Sequence, residues 1–280
     1  MEKANVIEVF LDVEAHRLTA DIIRRFSTNK EDIREPALGG LALRSCKSIL
    51  DLGCGFGFFT EALKGRVHPE ASVRGIDIIE GYGPLFLRTC ESAGLRGSFS
   101  VEGVHSIRAL DDRVFDLVLC SYALYFFPEI IPDISRVLKN EGVFVSITHS
   151  SGNLGELIDA AKEALRARNM LPGETLPIEG IIRRFSSDNG LQLLSPWFGD
   201  VRSLDYPNDL VFSPGDLQKI VEYFRFKSPF FLSGTGFSPE TVAGLLRRHL
   251  ERVLHARDSF TISKDDTIFI AEKPLREGGK

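Results

Sequence analysis

The stretch that most constrains this chain is residues 49–60, Ile-Leu-Asp-Leu-Gly-Cys-Gly-Phe-Gly-Phe-Phe-Thr. It starts as an apolar strand, runs into glycines at 53, 55 and 57, and continues into Phe58 to Leu63, which reads as a helix. Glycine carries no Cβ, so such a turn is tight and its backbone amides can face a ligand. The bland reading is a plain βα turn. The nucleotide-like reading needs its context, and the context is present. Asp51 stands two residues ahead of the first glycine. A second apolar run, Val73-Arg74-Gly75-Ile76-Asp77-Ile78, ends on an acid about 20 residues past the turn, where a carboxylate accepts from a ribose hydroxyl.

The rest of the chain alternates strands and helices. Strands are expected at Ser48–Leu52, Ser72–Ile76, Gly97–Val101, Phe115–Cys120 and Val143–Thr148, with helices at Leu85–Ala93 and Ile130–Leu138 between them. Phe115–Cys120 is nearly unbroken in apolar residues, as befits a strand buried on both faces. This rhythm predicts an α/β fold with a doubly wound, mainly parallel sheet. Residues 5–26, with Val6, Val9, Phe10, Val13, Leu18, Ile22, Ile23 and Phe26, read as one or two amphipathic helices that cover a sheet edge. Beyond residue 150 the rhythm breaks. Helices are expected at Leu154–Met170 (ended by Pro172-Gly173), Ile178–Asn189, Asp216–Phe226 and Pro239–His255. A sixth strand is expected at Asp200–Leu204, an apolar loop from Pro229, a last strand at Thr267–Glu272 and a polar tail over 273–280.

The motifs Asp-Leu-Gly-Cys-Gly-Phe-Gly at 51–57, Ile76-Asp77-Ile78, Phe115–Tyr122 and Ile134–Val145 occur in this order, and together they resemble the class I S-adenosylmethionine-dependent methyltransferases of small-molecule type. The resemblance covers residues 49–149 and is looser after 150. It implies a seven-stranded Rossmann-like sheet whose last two strands form an edge hairpin, the seventh antiparallel. It also implies four stretches: an N-terminal helical cap and linker at 1–45, a cofactor-binding core at 46–150, a helical and aromatic insertion or lid with strand six at 151–260, and a last strand and tail at 261–280. The cofactor implied is S-adenosyl-L-methionine, with S-adenosyl-L-homocysteine as product. Asp77 would hold the ribose. Gly53, Cys54, Gly55 and Gly57 would surround the methionine part, with Asp51 orienting the turn or the methionine amine, and Ile78 would lie against adenine. Cys120 and Ser121 would line the pocket beside the sulfonium. The family expects an acid after strand three, but Glu102-Gly103-Val104-His105 offers valine there. The Val104 amide, with His105, would have to serve the ring edge.

His149 follows strand five at the carboxyl ends of the strands, where open α/β sheets bind ligands, so it is the candidate general base, with Tyr122 and Tyr125 positioning the acceptor. Either histidine could instead be a surface or capping residue. Ser121-Tyr122-Ala123-Leu124 does not match the Asn-Pro-Pro-Tyr of base-modifying relatives. Ten aromatics between 197 and 237, Trp197 and Phe230 among them, form either a lid over a small acceptor or simply the core of the insertion.

Bulk properties narrow the partners. A net charge of −5 argues against a nucleic-acid partner. The four cysteines are dispersed with no CxxC, so neither a metal site nor a disulfide framework is expected, and a reducing cytoplasm fits. No apolar stretch approaches the roughly 18 residues of a membrane span. The function expected is methyl transfer to oxygen or nitrogen of a small organic acceptor. A tRNA or protein methyltransferase and a non-catalytic binding subunit are the alternatives.

Overall fold

The structure is a computed structural model that describes residues 10–171 and 173–276. Val6, Val9, Pro172 and the last four residues of the tail lie outside the described residues. Nine strands are described: β1 Ser48–Leu52, β2 Ser72–Ile76, β3 Arg96–Ser100, β4 Phe115–Ser121, β5 Leu138–His149, β6 Phe198–Tyr206, β7 Asp209–Phe212, β8 Phe260–Ser263 and β9 Asp266–Pro274. Seven of them form one sheet in the order β3-β2-β1-β4-β5-β9-β6. β9 runs antiparallel to both its neighbours, and the other pairs are parallel. The α/β, doubly wound expectation and the antiparallel last strand therefore hold.

The chain divides into two compact units built from interleaved segments: residues 31–149, 184–206 and 266–280 in one, residues 1–30, 150–183 and 207–265 in the other. The first unit holds the seven-stranded sheet. Its central strands are buried, with Leu50, Leu117, Val118 and Leu119 fully so, which is why their sequences read as continuous apolar runs. Sheet order reverses at β1, with β2 on one side and β4 on the other. This is the switch point outside which open α/β sheets bind ligands.

The second unit is helical, with Val13–Phe26, Gly155–Arg166, Pro177–Ile182, Leu217–Leu232 and Pro239–Ala256 beside the β7–β8 pair. Its core contains Phe212, Tyr223, Phe224 and Phe231, all fully buried. These four of the ten aromatics pack as core of the helical unit. Helix Val13–Phe26 packs on Leu217–Leu232, and the His16 ring stacks on Phe226 at 5.5 Å. It is a member of this unit.

Several elements differ from expectation. β5 begins at Leu138 rather than Val143, with a register shift against β4 between Phe115 and Leu117. The helix expected over 178–189 ends at Ile182, and a separate short helix spans Gly190–Leu194. The β7–β8 pair was not foreseen. The loop expected from Pro229 is helix, because Leu217–Leu232 runs through the proline. Proline lacks the N–H that would reach the carbonyl four residues back. Here the Ser228 hydroxyl donates to that Arg225 carbonyl instead, at 2.7 Å.

Candidate active site

The glycine turn is fastened to the end of β2. Gly53 and Cys54 both donate N–H to the Ile76 carbonyl, at 2.8 and 3.2 Å. Gly53 has φ +66°, and a Cβ there would sit 2.7 Å from that of Ala123, so only glycine fits. Gly55 has φ +51°, but nothing lies within 4 Å of its Cβ position, which leaves open space beside the turn. At Gly57 a Cβ would meet Thr89, whose hydroxyl donates to the Phe56 carbonyl at 2.8 Å.

Asp77 completes the turn. One of its oxygens accepts the Gly55 N–H at 2.9 Å, the other the Ile79 N–H at 3.0 Å. Burial raises its pKa, opposed by those amides and the Ile78 N–H. Asp51, fully buried, accepts the Thr60 hydroxyl at 2.7 Å. Burial pushes its pKa up to about 7, with Thr60 opposing and the nearby Asp77 charge adding. Thr60 and Arg34 were not singled out in the sequence. Arg34 donates to the Phe58 carbonyl at 2.7 Å, pairs with Asp32 and Glu61, and stacks over the Phe58 ring. It thereby pins the helix start Phe58–Glu61 that follows the turn.

Beside Asp77, Ile78 is 51% exposed, and Val101, just past β3, equally so. Gly103 turns the chain with φ +73° before Val104, which is buried. His105 pairs through Nε2 with Glu129 Oε1 at 3.0 Å, and Glu129 also holds Arg184. Both cysteines named from the sequence, Cys54 and Cys120, are buried thiols, and burial pushes each pKa well up. A buried thiol with a raised pKa is a poor nucleophile.

The end of β4 carries the second cluster. Ser121 closes the strand, half-buried, and Tyr122 follows at φ +54°. The Tyr122 hydroxyl donates to Asp266 Oδ2 at 2.8 Å. His149 Nδ1 lies 2.8 Å from Asp266 Oδ1. Burial, then Asp266, holds the Tyr122 phenol well above its ordinary pKa. The two candidate catalytic residues are therefore brought together through a third, Asp266, which sequence reasoning missed. Its only signal was an acid opening the last strand. Among the described residues no group of three or more His, Cys, Asp or Glu could hold a metal ion, and no helix is long and apolar enough to cross a membrane.

Residues 49–142 match a family described as a methyltransferase domain. The chain carries a class I S-adenosylmethionine-dependent methyltransferase domain. This methyltransferase is 27% identical over 180 residues to an aklanonic acid methyltransferase of a Streptomyces strain, a match that takes in 61% of this chain and 77% of that one. It is 24% identical over 156 residues to a demethylmenaquinone methyltransferase of Geobacillus stearothermophilus, covering 55% of this chain and 66% of that one. A solved structure of a candidate methyltransferase from Bacillus halodurans overlays with TM-score 0.55 at 15% identity, covering 87% of this chain and 99% of that one. That likeness speaks to the fold.

Proposed function

We propose that this methyltransferase moves a methyl group from S-adenosylmethionine to an oxygen or nitrogen of a small organic acceptor, leaving S-adenosylhomocysteine. The observation that carries the reading is the Asp77 cradle. Each Asp77 oxygen takes one backbone N–H, and a carboxylate oxygen keeps a further lone pair for a ribose hydroxyl. The open space beside Gly55 suits the methionine part, with Gly53, Gly57 and Cys54 shaping the turn. The exposed Ile78 and Val101 side chains suit a flat apolar ring. Val104 and His105 would meet that ring's edge. Asp51 holds the turn from below through Thr60. Ser121 and the Cys120 backbone end the neighbouring strand, next to Tyr122 and His149. S-adenosylmethionine supplies, when bound, a methyl group on a positively charged sulfur. The chain's own residues then need only to align the acceptor and receive its proton.

A small acceptor is supported by the names of the relatives, which point to aklanonic acid and demethylmenaquinone. The net charge of −5 weighs against a polynucleotide. The valine at 104 favours the non-catalytic reading enough to make it an outcome of the test. Calorimetric titration with S-adenosylmethionine and S-adenosylhomocysteine should give micromolar binding, lost in Asp77→Ala. Absence of binding to either by the unaltered protein would refute the reading.

A further inference from the structure

His149 is the last residue of β5 and Asp266 the first of β9, and the antiparallel ladder sets them opposite one another. One carboxylate, 3% exposed, meets His149 Nδ1 with one oxygen and the Tyr122 hydroxyl with the other, each at 2.8 Å. The Tyr122 and Tyr125 rings lie 5.1 and 5.6 Å from the imidazole, centroid to centroid. Tyr122 is held in left-handed backbone, which costs a non-glycine residue on the order of 1 kcal/mol. Its N–H donates to the Ile147 carbonyl at 2.8 Å, so the strain is held by the sheet itself. Backbone strain of this kind persists where the surroundings over-determine it, and it clusters at functional sites.

We propose that Asp266 is the positioning residue of the transfer site, and that the acceptor served there is a phenol- or enol-type hydroxyl. This rests on the methyl-transfer reading above. An ionised carboxylate only accepts, so its bond to His149 keeps the imidazole proton on Nδ1 and makes Nε2 the basic nitrogen. A carboxylate or a free amine attacks a methyl group without first losing a proton, whereas a hydroxyl must shed one, and that need is what a fixed imidazole answers. In the step, the acceptor oxygen forms its bond to the methyl carbon with a lone pair. The pair of the old carbon–sulfur bond stays on sulfur, and the hydroxyl proton passes to His149 Nε2. Asp266 then stabilises the imidazolium through Nδ1. The second Asp266 oxygen keeps the Tyr122 ring against His149 and its phenol protonated.

The test has two independent arms. Imidazole 1H–15N correlation spectra of the protein labelled with 15N-histidine report the tautomer without any donor or acceptor. His149 should show the Nδ1–H form, assigned by its loss in His149→Gln. Asp266→Asn should shift it toward Nε2–H or a mixture. Tyr122→Phe, which leaves the carboxylate in place, should retain it. An unchanged tautomer in Asp266→Asn, or a wild-type Nε2–H form, overturns the positioning role. The second arm offers S-adenosylmethionine with phenols, 1,3-diketones and arylacetic acids of matched size. Transfer to phenols or diketones, with kcat down roughly 100-fold in Asp266→Asn and the KM for S-adenosylmethionine within about twofold, supports the proposal. Transfer to the carboxylic acids alone, an unchanged kcat, or bound donor with no transfer to any probe overturns the acceptor class. Failure to bind the donor at all sinks the methyl-transfer reading instead, and the tautomer result is then read by itself.

Discussion

Asp51→Asn should stabilise the protein at alkaline pH and leave it nearly unchanged in acid. Asp51 is 1% exposed and accepts the Thr60 hydroxyl at 2.7 Å. Burial is the main cause of its raised pKa, about 7 against the ordinary 3.8. A carboxyl whose folded pKa is raised favours the fold most when protonated. Its contribution is therefore fully present below pH 3.8 and is lost as the pH climbs through about 7. Across that window the folded state holds one proton more than the unfolded chain, and stability falls by roughly 1.4 kcal/mol per pH unit, about 4 kcal/mol in all. Asparagine keeps an acceptor for Thr60 and never takes the charge, so it escapes this loss. Urea unfolding of both proteins at pH 4, 6 and 8, followed by circular dichroism, measures the difference, and titrating groups that do not feel the Asp51 charge cancel between the two. The variant should match wild type at pH 4 and gain several kcal/mol at pH 8. A difference that is the same at all three pH values would refute the burial argument, because it would mean that Asp51 ionises in the fold without penalty.

Three further outcomes are expected. Asn208 accepts from the Asn29 N–H and donates to the Ser27 hydroxyl, both at 3.0 Å; Asn208→Ala should cost the helical unit about 1–3 kcal/mol, read by thermal unfolding, and an unchanged midpoint would contradict it. A Cβ at Gly190 would lie 2.3 Å from the buried Phe269 ring; Gly190→Ala should destabilise by about 1–3 kcal/mol, and Phe269→Leu in the same chain should recover part of the loss, since the two sites are coupled. Gly53→Ala forces a side chain into left-handed backbone and against Ala123; it should weaken S-adenosylhomocysteine binding at least about tenfold by calorimetry, and wild-type affinity would show that the turn tolerates a Cβ.

How much of this was legible in the sequence depends on how far apart the interacting residues lie. β1 and β2 appear where their apolar runs place them, and Asp77 meets Gly55 because both belong to one local strand–turn unit. A period and a glycine are local signals, and they report local structure well. β5 was read short because Lys139, Asn140 and Glu141 are polar, yet the chain there is already extended. β7 and β8 were missed because four residues each, one run just after Pro207, carry too little pattern to announce a pair. Pro229 misled for the opposite reason: the local rule was sound, but the Ser228 hydroxyl took over the bond that the proline cannot make. The acceptor end of the site was the least legible part. His149 and Tyr122 could be named from their place after strands, but Asp266 is 117 residues from His149 and 144 from Tyr122. It meets them only because β9 inserts antiparallel between β5 and β6, which sets its first residue against the last residue of β5. An acid opening a parallel strand at that position would lie at the opposite end of the strands, a strand's length from His149. The direction of one strand thus decides whether this histidine has a carboxylate at all, and strand direction is fixed by the long-range pairing of the sheet.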